Sequence, residues 1–290
     1  MNGADLAKRP SGSWIINFGL RSEAEASLYE AVYEYALKHI KPARIESRTP
    51  SNRANWWRFE RPRPEMYAAF GKQPRYIATC LVSKHRFFVW LHRMVVPENV
   101  VIVVARSDDT TFGVLQSRIH ELWALRQASW LGVGNDPRYT PTTTFETFPF
   151  PVGVTPDLPA DSFNSDNHAN KIAEAARSLN SLRENWLSPP ELIDRVPEIA
   201  PSYPDRIVPR NKAASEELKK RTLTNLYNAN PAWLQNAQRE LDAAVAAAYG
   251  WQWPLSDEAI IERLFELNQR HAIPLDIRPS ASKRGKAKKQ

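Results

Sequence analysis

Three apolar runs of strand length, Tyr76 to Val82, Arg86 to Leu91 and Val100 to Ala105, constrain the fold of this chain more than any other feature. Ser83, Lys84 and His85 stand in the turn between the first two, and Pro97, Glu98 and Asn99 lie before the third. Parallel strands need a crossover of about a dozen residues or more, so these runs are expected to pair as an antiparallel sheet. The unbroken Val/Ile composition of the third run predicts a strand buried on both faces. Asp108 and Asp109 then precede Phe112, Leu115, Ile119, Leu122 and Arg126 at helical spacing, which predicts one helix packed on the sheet. Gly132 and Gly134 end that pattern, and Thr140 to Pro151, rich in Thr, Phe and Pro, is expected to run extended.

On the N-terminal side, Ser22 followed three residues later by Glu25 is a capping box that opens a helix with Leu28, Val32 and Tyr35 on one face, ended by Pro42. On the C-terminal side, Pro151, Pro156 and Pro159 among small and acidic residues read as a linker. Helical stripes follow: Ile172, Ala175, Leu179, Leu182 and Trp186; then Leu218, Thr222 and Leu226. A third helix is expected from cap Asn230 and first residue Pro231 to Gly250, and a fourth from cap Ser256 through Ile260, Leu264 and Leu267. The six prolines between Ser188 and Asn211 mark a long loop, and no internal repeat is visible. The expected fold class is α+β: a mixed or antiparallel sheet with packed helices over 1–151, a linker at 152–166, a small helical domain at 167–275 and a disordered basic tail at 276–290.

Composition narrows the function classes. With 42% hydrophobic and 10% aromatic residues the chain is too apolar to be disordered, so it folds. Its one cysteine, Cys80, allows no internal disulfide, and no Cys/His spacing suits structural zinc, which fits a reducing cytoplasm. No apolar run approaches the roughly 20 residues that a membrane span needs, so a soluble cytoplasmic protein without a membrane partner is expected.

Enzymatic motifs are hard to find. A methyltransferase needs a Gly-rich turn after its first strand and, for adenine N6, an Asn-Pro-Pro-aromatic loop. Gly132-Val133-Gly134 follows a helix pattern instead of a strand, and Ser188-Pro189-Pro190-Glu191 lacks the amide and the aromatic. Two-metal nuclease chemistry needs carboxylates gathered on adjacent strands, and these strands carry almost none; Asp108 and Asp109 read as turn and helix-start residues. Cys80 sits in an apolar strand and reads as a packed, inert thiol, and His120 as a packing or surface residue. The expectation is no catalytic residue, no metal and no cofactor in this chain.

Charge supplies the positive signal. Between Lys38 and Arg93 there are 13 Lys/Arg against three acids, Glu46, Glu60 and Glu65, whereas Met94 to Leu275 carries 17 Lys/Arg against 23 acids. A clustered excess of this kind points to a polyanionic partner. Arg44, Arg48, Arg53, Arg58, Arg61 and Arg63 are interleaved with Trp56, Trp57 and Phe59, and Lys84, His85 and Arg86 sit at the turn between two strands. Arginine's planar fork matches phosphate oxygens and the guanine edge, so these nine residues are the candidate contacts to double-stranded DNA, with Lys84 and Arg86 expected at phosphates and some of Arg53, Arg58 and Arg61 in a groove. The alternative is a solvated charged face over a core that holds at least one of the two tryptophans.

The stretch SRIHELWALRQASWLGVGNDPRYTPTTTFETFPFP from Ser117, with RYIATCLVSKHRFFVWL from Arg75, resembles the target-recognition region of MmeI-like type II restriction-modification enzymes, a family of adenine-specific methyltransferases that use S-adenosylmethionine. The resemblance extends from RPSGSWIINFG at Arg9 through NRANWWRFERPRPEM at Asn52 to ELKKRTLTNLYNANPAWL at Glu217 and LDAAVAAAYGW at Leu241. It implies the target-recognition domain and C-terminal helical region of such an enzyme, with cofactor binding, base flipping and cleavage belonging upstream of Met1 or to a separately encoded methyltransferase subunit. On that reading the chain alone is inactive and S-adenosylmethionine binds elsewhere. Two other readings compete: an enzyme with an unrecognised site, and a stand-alone nucleic-acid-binding regulator.

Overall fold

The N-terminal stretch folds into six helices, α1 (Gly3–Ala7), α2 (Glu23–Ser27), α3 (Glu30–His39), α4 (Lys41–Ile45), α5 (Pro50–Ala54) and α6 (Pro64–Phe70), in a computed structural model that describes residues 1–131, 136–200 and 202–272. The capping box forms in both directions, with Glu25 N donating to Ser22 Oγ (3.3 Å) and Ser22 N to Glu25 Oε2 (2.7 Å). The helix does stop short of Pro42, α3 closing at His39, and a new helix opens around the proline. Pro42 lies in the first turn of α4, where an amide hydrogen would have no partner to lose. The face expected to be buried is the outer one: Leu28, Val32 and Tyr35 are 78%, 43% and 57% exposed. The inward side is built on small residues, Ala26 and Ala36, which let Phe18 and Trp56 close over them in a small cluster of their own.

The main sheet centres on β1 (Arg75–Cys80), which pairs antiparallel with β2 (Val89–His92) on one side and β3 (Val101–Val104) on the other. The order β2-β1-β3 is not the meander that short connections favour: β2 and β3 both run antiparallel to β1, and residues 93–100 cross from one edge of the sheet to the other. Two-sided burial falls to the wrong strand in the sequence reading. β1, flanked on both edges, buries Tyr76 through Cys80, whereas in edge strand β3 Val101 and Val104 are buried but Ile102 and Val103 are only half covered.

The helix expected after Asp108 is two helices, α7 (Asp109–Gln116) and α8 (Arg118–Gln127). Ser117 breaks the run with extended backbone (φ −69°, ψ 155°) and caps α8 by accepting from His120 N at 3.3 Å. Asp108 caps α7 through Thr111 N at 2.7 Å, as its sequence position suggests. A second hairpin follows, β4 (Ser129–Leu131) with β5 (Asp136–Arg138). The Gly132-Val133-Gly134 stretch lies outside the described residues. The Thr/Phe/Pro segment contains a helical turn, α9 (Pro141–Thr144), and is not simply extended; its Phe148 and Phe150 end in the core.

Residues 152–166 hold a short 3-10 turn (Ala160–Ser165), with Val154 and Phe163 buried against Ala169. Beyond it run α10 (Asn167–Leu187), the hairpin β6 (Ile193–Val196) and β7 (Arg206–Pro209), then α11 (Lys212–Lys220), α12 (Leu223–Ala229), α13 (Ala232–Ala248) and α14 (Asp257–Ala272). The proline-rich stretch is therefore no plain loop: β6 and β7 pair antiparallel within it. Asn230 adopts a left-handed conformation (φ 43°) and terminates α12, and Pro231 occupies the cap position of α13. The expected tail from residue 276 lies outside the described residues.

One apolar cluster takes in Ile77 and Phe88 of the sheet region, Phe112 and Leu115 of α7, Ile172 and Leu179 of α10, Leu241 and Val245 of α13 and Leu264 of α14. The sheet and the C-terminal helices thus share a core across residues 152–166. Gly113 makes the closest approach possible: a Cβ there would stand 2.6 Å from Ile172 Cγ2 and 3.2 Å from Ile172 O. The inward stripe of α10 is Ile172, Ala176, Leu179 and Arg183, not Leu182, which is 39% exposed. Arg183 is accepted inside because Phe88 O (2.8 Å), Asn180 Oδ1 (3.0 Å), Gln116 Oε1 (3.1 Å) and Tyr227 OH (3.2 Å) take its protons.

Candidate nucleic-acid interface

The basic segment is held by polar ties that order its backbone while leaving much of its charge outside. Asn52, the buried residue of α5, accepts from Arg44 Nη1 at 2.8 Å and donates to Ser47 Oγ (3.2 Å) and Glu60 Oε2 (3.1 Å). Arg53 Nη1 donates to Ser47 O at 2.7 Å. Arg58 donates through Nε to Arg21 O at 2.8 Å and lies 5.3 Å from the Trp57 ring centre. Trp56 is buried; its indole N–H and the Tyr33 hydroxyl both donate to Glu23 Oε1 at 2.9 Å. Arg63 sits in left-handed backbone before α6 and faces Glu65 at 3.5 Å, both side chains exposed. Arg48 and Arg61 are exposed and make no ion pair or side-chain hydrogen bond among the described residues. Fully hydrated guanidinium groups of this kind contribute little to stability and are available to an anion.

The turn after β1 divides sharply. Lys84 is exposed and His85 half-buried, and both meet Asn228 Oδ1 of α12, at 2.7 Å from Lys84 Nζ and 2.8 Å from His85 Nε2. Arg86 is only 6% exposed, which corrects its expected place at a phosphate. Its guanidinium donates to Thr79 Oγ1 (2.9 Å), Cys80 O (2.5 Å) and Pro137 O (3.2 Å) and lies 5.0 Å from the Tyr139 ring centre. Burial pulls its pKa below the ordinary guanidinium value, with Tyr139 and Cys80 acting in the opposite direction. Arg86 is a buried tie between β1 and the second hairpin.

Through that tie the β4–β5 hairpin stands beside the Lys84 turn: Val82 bridges Arg138, and Tyr139 N donates to Leu81 O at 2.8 Å. Trp130 and Leu131 are 50% and 43% exposed on it, and Arg138 is exposed as well. Sequence reasoning missed Trp130, Arg138 and Asn228. The signal for the first two was two short runs flanking a Gly-x-Gly, a hairpin pattern hidden by reading the glycines as a helix end. Among the described residues no hydrogen bond or ion pair joins the Arg44–Arg63 segment to the Lys84–Asn228–hairpin surface.

Burial raises the Cys80 thiol to about 11, leaving it protonated and unreactive. His120 is pushed down to about 3, mainly by burial, and its ring bridges Leu115 O (2.9 Å) and Tyr139 OH (3.1 Å). Asp109 is paired with Arg75 (2.8 Å) and Arg177 (3.3 Å). Among the described residues no group of His, Cys, Asp and Glu has metal-holding geometry, and no helix is long and apolar enough to cross a membrane.

No protein-family model matches the sequence, and neither does any curated protein. Among solved structures, the Type IIL restriction-modification enzyme MmeI in complex with DNA superposes with a TM-score of 0.60 over 93% of this chain at 19% sequence identity. The chain shares its fold with part of MmeI. It spans 30% of the MmeI chain, and at that identity the likeness is one of fold.

Proposed function

We propose that this chain recognises duplex DNA as the target-recognition and C-terminal helical part of a site-specific adenine-N6 methyltransferase of a restriction-modification system. The observation that carries the reading is the exposed basic surface: Arg48 and Arg61 with no ion pair or side-chain hydrogen bond among the described residues, and Lys84 exposed at a strand turn beside a hairpin that presents Trp130 and Arg138. Exposed cations suit phosphates, which set register and orientation, and exposed side chains on a β-hairpin suit base edges. The fold likeness to an enzyme solved with DNA supports the same assignment. S-adenosylmethionine, base flipping and methyl transfer belong, on this reading, to a methyltransferase part outside these residues, and the site here needs neither nucleophile nor metal. On this reading the chain works in the cytoplasm.

The test is selection from a random duplex pool with the purified chain, followed by sequencing of bound DNA. Enrichment of one short motif supports target recognition. Retention of duplex without any enriched motif would favour the stand-alone nucleic-acid-binding reading, and no retention at low salt would reject both.

A further inference from the structure

The Lys84 turn is held from below by the C-terminal helical part. Helix α12 starts at Thr222, whose hydroxyl accepts from Asn225 N at 3.1 Å, and buries Leu226 in the shared core, so Tyr227 and Asn228 are fixed at its last turn. Tyr227 stacks against both His85 and Phe87, with ring centres 6.0 Å and 5.8 Å apart. Its hydroxyl accepts from Gln116 Nε2 (3.1 Å) and Arg183 Nη1 (3.2 Å), the buried arginine that also reaches Phe88 O. Asn228 completes the support. Its single oxygen faces two donors, Lys84 Nζ and His85 Nε2, which requires a proton on Nε2.

From this geometry we propose that Asn228 is a positioning residue of the DNA-facing surface, holding Lys84 and His85 in the orientation that meets the duplex. The inference rests on the DNA-binding reading and adds that the helical part builds the contact surface instead of only completing the core. The chemistry follows from donor counting. A lysine ammonium has three N–H donors, and one spent on Asn228 leaves two for a phosphate while removing the freedom of a long, flexible stem. The Asn228 amide nitrogen has no partner among the described residues, so it adds donors beside those of Lys84.

The experiment is a double-mutant cycle on duplex binding, with Lys84→Ala, Asn228→Ala and the pair, together with nitrogen-15 NMR of the His85 ring in the free protein. Each single variant is expected to weaken binding about fivefold near 0.1 M salt, the scale of one lost phosphate contact, and the pair by clearly less than the product of the two. Thermal unfolding is expected to be unchanged for all three, because Lys84 and Asn228 are exposed. Asn228→Ala is also expected to release His85 from its Nε2-protonated form to a mixture of tautomers. Additive losses, or an Asn228→Ala protein that binds like wild type, would overturn the positioning role while leaving the DNA reading intact; an unchanged His85 ring would overturn the contact itself. A wild-type protein that binds no duplex would defeat both.

Discussion

Substituting Gly113 by alanine probes the junction on which the architecture depends. In an isolated helix the change gains about 1 kcal/mol in propensity. In this protein the added methyl would lie 2.6 Å from Ile172 Cγ2, 3.0 Å from Ala176 Cβ and 3.2 Å from Ile172 O. Ile172 is fully buried and β-branched, so Cγ2 has no alternative rotamer to enter, and the carbonyl belongs to the α10 backbone. The contact is relieved only by moving α7 away from α10, an overpacking cost of about 1–3 kcal/mol that exceeds the propensity gain. The expected net loss is about 0–2 kcal/mol, or a midpoint lowered by up to roughly 8 °C in calorimetry or circular dichroism. Combining Gly113→Ala with Ile172→Ala removes the shortest contact, so the pair should lose less than the sum of the two single changes. A Gly113→Ala protein that melts higher than wild type would refute the close approach of the two helices.

Three further outcomes follow from other sites. Asp242 is buried, accepts from Arg118 N (2.8 Å) and Gln238 Nε2 (2.9 Å), and has its pKa raised to about 6, chiefly by burial. A raised carboxyl pKa favours the folded state most at low pH and loses that contribution as pH climbs from about 4 to about 6; Asp242→Asn should therefore be more stable than wild type above pH 6, by at most about 3 kcal/mol, and match it near pH 4 in chemical denaturation. Equal denaturation midpoints at pH 7.5 would count against a strained buried carboxylate. Arg86→Ala should lower stability by about 3 kcal/mol or more, because Cys80 O and Pro137 O lose a charged donor in the interior, whereas Lys84→Ala should leave the melting midpoint unchanged. We hold the division into a recognition unit and a helical unit as a proposal for limited proteolysis: first cuts near Val152, which is 87% exposed, would support it, and first cuts within Val101–Val104 would contradict it.

Much of the fold was legible because local chemistry and tertiary context agree. The three apolar runs with short turns give the antiparallel sheet, and Ser22, Asp108 and Ser256 cap helices as their spacing suggests. What was hidden depends on partners distant in sequence. Leu28, Val32 and Tyr35 look like a core stripe, but the cluster closes on Ala26 and Ala36 because Trp56 arrives from twenty or more residues away. Arg183 looks like a surface residue until Phe88 O and Gln116 surround it. The same distinction governs the candidate site. Charge clustering found the basic segment and Lys84, yet it could not separate Lys84 from Arg86, two residues apart, since only the fold supplies Thr79, Cys80 and Pro137 as buried acceptors. Asn228 left no signal at all, because its role is defined by a turn more than a hundred residues earlier.

Salt dependence of duplex binding tests the central claim most directly. Each phosphate neutralised by a cation releases condensed counterions and adds about −0.9 to the slope of log affinity against log salt. The wild-type chain should bind duplex with a slope of several units, and Arg48→Ala with Arg61→Ala should flatten it by about two while weakening all sequences alike. Wild-type and double-variant proteins with the same affinity and the same slope would show these arginines to be an ordinary solvated surface and contradict the account.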